Sequence, residues 1–183
     1  MPRTRTEAIR VSVSELLSLL LGESYAPREI LEDNRLIHHR LGLDGYEEYN
    51  VVLGPLDALD RHKSELISAQ NVMASRPVII TCRPDLVLGD TIYELKVLRK
   101  YSDRERLIIT GLLQLQLELY ALGFERGKLL IYRHHDNELE EIDVRRDDAI
   151  ALEALGIYLK LLEARSRLFS KLSEIARSSA PGT

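Results

Sequence analysis

Residues 77–98 carry the tightest constraint in the chain: two runs rich in Val and Ile, 77–88 and 91–98, with only Gly89-Asp90 between them. A glycine followed by an aspartate between β-formers reads as a two-residue hairpin loop, because turns with positive φ match the twist of the strands they join. Such a loop fixes the register: Leu88 faces Thr91, Val87 faces Ile92, Leu86 faces Tyr93, and Asp85 faces Glu94. Opposed residues on a sheet have Cβ atoms about 4.5–5.5 Å apart, so two acids there repel unless something positive intervenes. A divalent cation is one candidate. Strand alternation also puts Lys96 on the face of Glu94, so acid, acid and ammonium converge. A solvated surface hairpin with a Glu/Lys pair is the competing reading of the same residues.

Helix and strand patterns surround the hairpin. Ser12 or Ser14 can cap a Leu-rich helix ending near Gly22, Pro27 suits the first turn of a helix leading to Leu41, and Pro55 suits another running to about Ala74. Residues 46–53 read as a strand. A helix over 104–123 follows the hairpin, then strands at 128–132 and 139–144 around a polar turn. A long helix over 147–177 closes the chain, with Ile150, Ala154, Ile157, Leu161, Leu168 and Leu172 as its apolar positions. With 183 residues, 45% of them apolar and 30% charged, there is material for one domain. It divides into a mainly helical part with one strand (1–75), a sheet and helix (77–144) and the C-terminal helix (147–178). That last helix is expected to pack on the sheet, with apolar surface left over for a homo-oligomer contact.

The longest apolar run, around residues 16–21, falls far short of the roughly 20 residues that span a bilayer, and no signal peptide precedes it. A soluble, cytoplasmic protein without a membrane partner is expected. One cysteine, Cys82, cannot assemble a Cys-based zinc or iron-sulfur site, so any metal falls to Asp, Glu and His. The net charge is −4, yet Lys96, Arg99, Lys100, Arg104 and Arg106 lie within eleven residues against only Asp103 and Glu105. Such a local cationic stretch is compatible with phosphate binding at one place, and equally with a solvated helix start carrying paired charges.

Two helices add candidates. At 100° per residue, Leu112, Leu115, Leu119 and Leu122 share one side of the helix over 104–123, with Leu113 and Leu117 extending the arc. Gln116 falls in the middle of that arc with Tyr120 beside it, and a glutamine there needs hydrogen-bond partners. Gln114 and Glu118 fall on the polar side. On the helix from Pro27, Ile30, Ile37 and Leu41 define the inner face, with His38 inside its arc and His39 pointing away. Taken alone, His38 reads as a hydrogen-bonded core residue.

In order, His38, Pro84-Asp85, Glu94-Leu95-Lys96 and Gln116-Leu117-Glu118-Leu119-Tyr120 resemble the PD-(D/E)xK nuclease superfamily, specifically its RecB-like branch with the Q-x-x-x-Y motif. The resemblance runs from about Ser12 to Tyr132. The segment Tyr25-Ala26-Pro27-Arg28 is similar to the Tyr-Cys-Pro-Arg start of CRISPR-associated RecB-like exonucleases, but Ala26 replaces the cysteine and no C-terminal cysteine cluster follows. No iron-sulfur cluster is therefore expected. The resemblance implies an α/β fold with a restriction-endonuclease-like core, a mixed β-sheet flanked by helices, and a long C-terminal helix. It also implies a metal-dependent DNA nuclease, an exonuclease or end-processing enzyme on single-stranded or duplex ends. Asp85, Glu94 and the carbonyl of Leu95 would hold Mg²⁺ or Mn²⁺, His38 would join them, and Lys96 would act on the water or the transition state. Gln116 and Tyr120 would support the site and contact the DNA backbone, and Arg99, Lys100 and Arg104 would grip phosphates. A DNA-binding or assembly protein that keeps the fold without catalysis, and a structure-specific endonuclease of the same superfamily, are the alternatives.

Overall fold

The computed structural model describes residues 8–22, 27–45, 47–55 and 77–178. Tyr25, Ala26, Tyr46 and the expected helix beyond Pro55 lie outside these residues. In chain order the elements are β1 (Ile9–Ser12), α1 (Val13–Leu21), α2 (Arg28–Arg40), β2 (Tyr49–Pro55), β3 (Pro77–Cys82), β4 (Leu86–Leu88) and β5 (Thr91–Leu98). They continue with α3 (Arg104–Leu122), β6 (Arg126–Arg133), β7 (Glu138–Arg145) and α4 (Asp148–Ser178). The class is α/β: two sheets, ordered β1-β3-β2 and β4-β5-β6-β7, each mixing parallel and antiparallel pairs, with helices against them and a long one at the end.

The hairpin takes the register that its loop dictates, Leu88 with Thr91, Val87 with Ile92 and Leu86 with Tyr93, and Gly89 holds a φ of 61°. Residues 77–88 do not form one strand, however. β3 ends at Cys82, β4 starts at Leu86, and the two belong to different sheets. Pro84 stands between them, and a residue without an N–H cannot carry a ladder through a central strand. Pro55, expected to open a helix, instead ends β2 opposite Pro77. β1 is a strand that sequence pattern does not reveal: four residues are too few for periodicity, and their parallel pairing with β3 is supplied by the rest of the fold.

The connection from β5 to the parallel β6 runs through α3, which lies between layers and is buried on more than one side. Leu115 and Leu119 pack against Ile92, Leu98, Leu129, Ile131 and Val144. Leu117 and Ala121 face a second core with Val11 and Ile80 from the other sheet, Leu16 from α1, and Leu155 and Tyr158 from α4. On the opposite face of the β4–β7 sheet, Ile37 of α2 meets Leu95, Val97, Leu130 and Tyr132. Along β5, therefore, even-numbered side chains face α3 and odd-numbered ones face α2. The inner face of α4 is rotated from expectation: Ala151, Ala154, Leu155, Tyr158 and Leu159 are buried, while Ile150, Ile157 and Leu161 are exposed. The buried set follows i, i+3, i+4, i+7 spacing. Among the described residues no helix is long and apolar enough to cross a membrane.

Two glycines let α3 approach the sheet. A Cβ on Gly127 would lie 2.6 Å from Leu115 Cδ2 and 3.3 Å from the carbonyl oxygen of Ile92, and one on Gly111 would lie 2.5 Å from Leu129 Cδ1 and 3.1 Å from Lys96 Cγ. Overpacking a filled core costs about 1–3 kcal/mol. Gly127→Ala is expected to lower the unfolding free energy by that amount in urea denaturation, and an unchanged midpoint would show that the interface is looser than described.

Candidate functional site

The site begins where β4 stops. Its ladder with β5 ends at Leu86–Tyr93, so among the described residues no strand lies beside this edge of β5 from Glu94 onward. Asp85 is not a ladder partner of Glu94 as the hairpin count predicted, because the chain turns out of the sheet between Pro84 and Leu86. Its Oδ2 instead accepts the N–H of Leu95 at 2.7 Å. A strand residue's N–H and C=O point to the same side, which puts the Leu95 carbonyl on that edge too. The same Oδ2 lies 3.2 Å from Nε2 of His38.

His38 occupies the inward position assigned to it on α2, and His39 points outward and pairs with Asp44 at 2.6 Å. Nδ1 of His38 donates to the carbonyl of Asn34 at 2.6 Å. Burial alone would lower the pKa of His38, but the Asp85 carboxylate beside it overrides that and holds it above the ordinary value. The Asn34 bond fixes Nδ1 as the protonated nitrogen when the ring is neutral, so the proton that titrates is the one on Nε2, facing Asp85.

Glu94 and Lys96 point toward α3. The ammonium of Lys96 donates to Glu94 Oε1 at 2.9 Å and to Gln114 Oε1 at 2.8 Å, and Gln114 Nε2 donates onward to Glu118 Oε1 at 3.2 Å. Gln114 and Glu118 were expected on a water-facing side; instead Glu118 is 0% exposed and Gln114 half-buried. A single-sided wheel assumes one buried face, and α3 is covered on several. The signal was present in the sequence as two polar residues four apart, facing an acid and a lysine that already needed partners.

The second oxygens of both acids, Glu94 Oε2 and Glu118 Oε2, are buried without a hydrogen-bond partner. Burial lifts the pKa of Glu94 to about 7, with Lys96 opposing and Asp85 adding to the rise. Glu118 is raised well above the carboxylate range by burial and then by Glu94. Cys82, nearby and fully buried, is pushed up to about 12, first by burial and then by Glu118, so its thiol stays protonated. Beside Gln114 and Glu118 opens a cavity of about 430 Å³ whose wall includes Ser14, Thr81 and Arg83.

Other predicted residues lie apart from the acids. Gln116 bridges the β7–α4 connection, donating to the Arg145 carbonyl at 2.8 Å and accepting from the Asp147 N–H at 2.7 Å. Tyr120 lies beneath the Arg146 guanidinium, 5.6 Å from its ring centre. The cationic stretch is mostly engaged within the protein. Arg99 bonds Asp33 and Asn34, Arg104 bonds Glu140, and Arg106 bonds the carbonyls of Leu21 and Gly22. Arg99 and Arg104 are thus not standing phosphate grips, whereas Lys100 faces solvent beside Tyr101.

Among the described residues no three His, Cys, Asp or Glu groups already surround one point as a metal cage. The residues nevertheless fit a divalent cation of the magnesium type, which keeps several waters and needs only one or two carboxylates. Desolvated carboxylate oxygens without partners are the chemistry that such a cation satisfies.

No protein-family model and no curated protein sequence matches the chain. Among solved structures it is similar to that of SSO0001, with a TM-score of 0.55 and 19% identity over 87% of this chain and 79% of that one. At that identity the likeness extends to the fold alone. Further similarities are to an alkaline exonuclease from Laribacter hongkongensis, at TM-score 0.45 and 14% identity over 93% of this chain and 95% of that one. A phage-related exonuclease from Haemophilus somnus is similar at TM-score 0.39 and 11% identity, over 87% of this chain and 97% of that one.

Two outcomes test this geometry. A carboxyl whose pKa is raised on folding stabilises the folded state below its unfolded pKa and loses that contribution as pH rises through the folded value. In chelator, Glu118→Gln should therefore become progressively more stable than wild type as pH rises above the ordinary carboxylate range, read as the difference in Tm. A pH-independent difference would mean that Glu118 is not desolvated as described. Gln116→Ala removes both tethers of the β7–α4 connection and should cost about 1–3 kcal/mol of stability. Loss of α4 packing without any fall in Tm would contradict that role.

Proposed function

We propose that the chain is a metal-dependent nuclease hydrolysing phosphodiester bonds in DNA, with Asp85, Glu94 and Lys96 as its catalytic residues. The observation that carries this reading is the convergence, at the edge of β5 beyond the end of β4, of two buried carboxylates, a lysine and a histidine, with Glu94 Oε2 buried and without a hydrogen-bond partner. The Leu95 N–H accounts structurally for Asp85 at this edge, but it leaves the burial of Glu94 beside Asp85 without a structural need. The PD and ExK motifs and the RecB-like order of the residues agree with it.

Asp85, Glu94 and the Leu95 carbonyl would hold Mg²⁺ or Mn²⁺, with Nε2 of His38 as a nitrogen donor that favours Mn²⁺. The chemistry supplied by such a cation, when bound, is polarisation of the scissile phosphate and acidification of an attacking water. Asp85 is oriented for this by the Leu95 N–H. Lys96, held from two sides by Glu94 and Gln114, places a compact positive charge at a set point, suited to orienting the water or to stabilising charge that gathers on phosphate oxygens. Glu118 sustains that placement through Gln114. The motif resemblance supports exonuclease or end-processing action, on single strands or duplex ends.

The test is cleavage of end-labelled single- and double-stranded DNA with Mn²⁺, Mg²⁺ and chelator. Wild type should cut with metal and stop in chelator, and Glu94→Ala and Lys96→Ala should each lose about 10²-fold or more in rate while staying folded. His38→Ala should raise the metal concentration needed for half-activity, while His39→Ala should leave it unchanged. Metal-independent cutting, or full activity in the Glu94 and Lys96 variants, would remove the proposal.

A further inference from the structure

Of the described tyrosines, Tyr101 alone is exposed, and its 93% exposure leaves nearly the whole side chain in water. A lone exposed aromatic is ordinary on a protein surface. Three features set this one apart.

The first is its mounting. Tyr101 sits at the tip of a turn whose base is held on both sides: the Ser102 N–H donates to the Arg99 carbonyl at 2.9 Å, and the Arg99 N–H donates to Ser102 Oγ at 3.2 Å. The Arg99 guanidinium is locked to Asp33 at 2.6 Å and to Asn34 at 2.7 Å, and Asp103 caps α3 immediately after the turn through the Arg106 N–H. A ring carried on a braced turn loses little conformational freedom when something stacks on it.

The second is its place. The turn directly continues β5, three residues beyond Lys96 at its start. Asn34, which holds Arg99 through its side chain, holds Nδ1 of His38 through its carbonyl. The turn is thereby anchored about one helical turn, some 5.4 Å along α2, from the imidazole beside Asp85. The third is its charge. Lys100 Nζ lies 5.8 Å from the ring centre, a cation beside a ring whose faces stay open to water. It is also the member of the cationic stretch that faces solvent next to an aromatic ring, while Arg99, Arg104 and Arg106 are engaged by protein groups.

We propose that Tyr101 is a stacking platform for an unpaired base of a DNA strand running into the site, with Lys100 meeting the adjoining phosphate. The inference rests on the nuclease reading above and adds to it a preference for single-stranded over blunt duplex DNA. An aromatic ring with a neighbouring cation is the pairing that recognises a strand with exposed base faces and a charged backbone, and stacked duplex bases offer no such face.

The chain contains no tryptophan, so Tyr101→Trp introduces a single indole, selectively excitable over the tyrosines, at the proposed contact. With metal chelated to prevent cleavage, titration with a short oligothymidylate should quench that fluorescence to saturation. A blunt duplex of equal length should quench it far less. By fluorescence anisotropy, Tyr101→Ala should weaken oligothymidylate binding by about 5- to 150-fold, with duplex binding and Tm unchanged. Tyr101→Phe should bind like wild type. Lys100→Ala should reduce the slope of log affinity against log salt by about one. Wild-type protein that binds and cuts, combined with a Tyr101→Ala variant of equal affinity or a tryptophan that is not quenched, overturns this inference and leaves the nuclease reading standing. Wild-type protein that neither binds nor cuts removes the nuclease reading and this inference with it.

Discussion

The backbone N–H of Leu95 faces an edge beside which the described residues place no strand, and the Asp85 carboxylate that accepts it at 2.7 Å takes a strand's place. Much of the site depends on this bond. A buried, unpaired N–H at the sheet edge would be costly, so a short acidic side chain is needed where the chain switches from one sheet to the other. Pro84 enforces the switch, and Asp85 follows at the turn. Holding Asp85 there brings His38 against it from α2 and keeps it beside Glu94, which projects from the other face of β5.

The price of that arrangement is electrostatic. Glu94 and Glu118 are almost wholly removed from water, which raises the pKa of both, Glu94 adds to the rise at Glu118, and Lys96 offsets only part of it. A fold that keeps carboxylates in such a place without a balancing charge sacrifices stability when they ionise. Sites that do this are where acid–base and phosphoryl chemistry are found, because a desolvated, pre-positioned charge interacts more strongly there than in water. Gly111 belongs to the same design: with no side chain it lets α3 lie against Leu129 and the stem of Lys96, close enough for Gln114 to reach the ammonium.

Local rules made some of this visible in the sequence. Gly89-Asp90 set the hairpin register, strand alternation put Lys96 on the face of Glu94, and the α2 wheel separated His38 from His39. Each depends only on nearest-neighbour geometry. Glu118 is not legible because the C-terminal half of α3 has no solvent face for its polar residues, and nothing within nineteen residues of one helix says what covers it. The partners of the arginines are hidden from the sequence for a related reason. A guanidinium on a long stem reaches acids distant in sequence, as Arg99 reaches Asp33 and Arg104 reaches Glu140, so clustering along the chain does not amount to a free cationic surface. β1 and the break between β3 and β4 are likewise set by which strands meet, not by the residues within them.

The most direct measurement is anomalous scattering from crystals of the protein grown or soaked with Mn²⁺. A cation bound as proposed gives an anomalous peak about 2.0–2.2 Å from carboxylate oxygens of Asp85 and Glu94, with the Leu95 carbonyl and Nε2 of His38 on its flank, and the peak is lost in Glu94→Gln. Crystals saturated with Mn²⁺ that show no peak at this edge of β5, or a peak unaffected by Glu94→Gln, would contradict a metal-dependent site here.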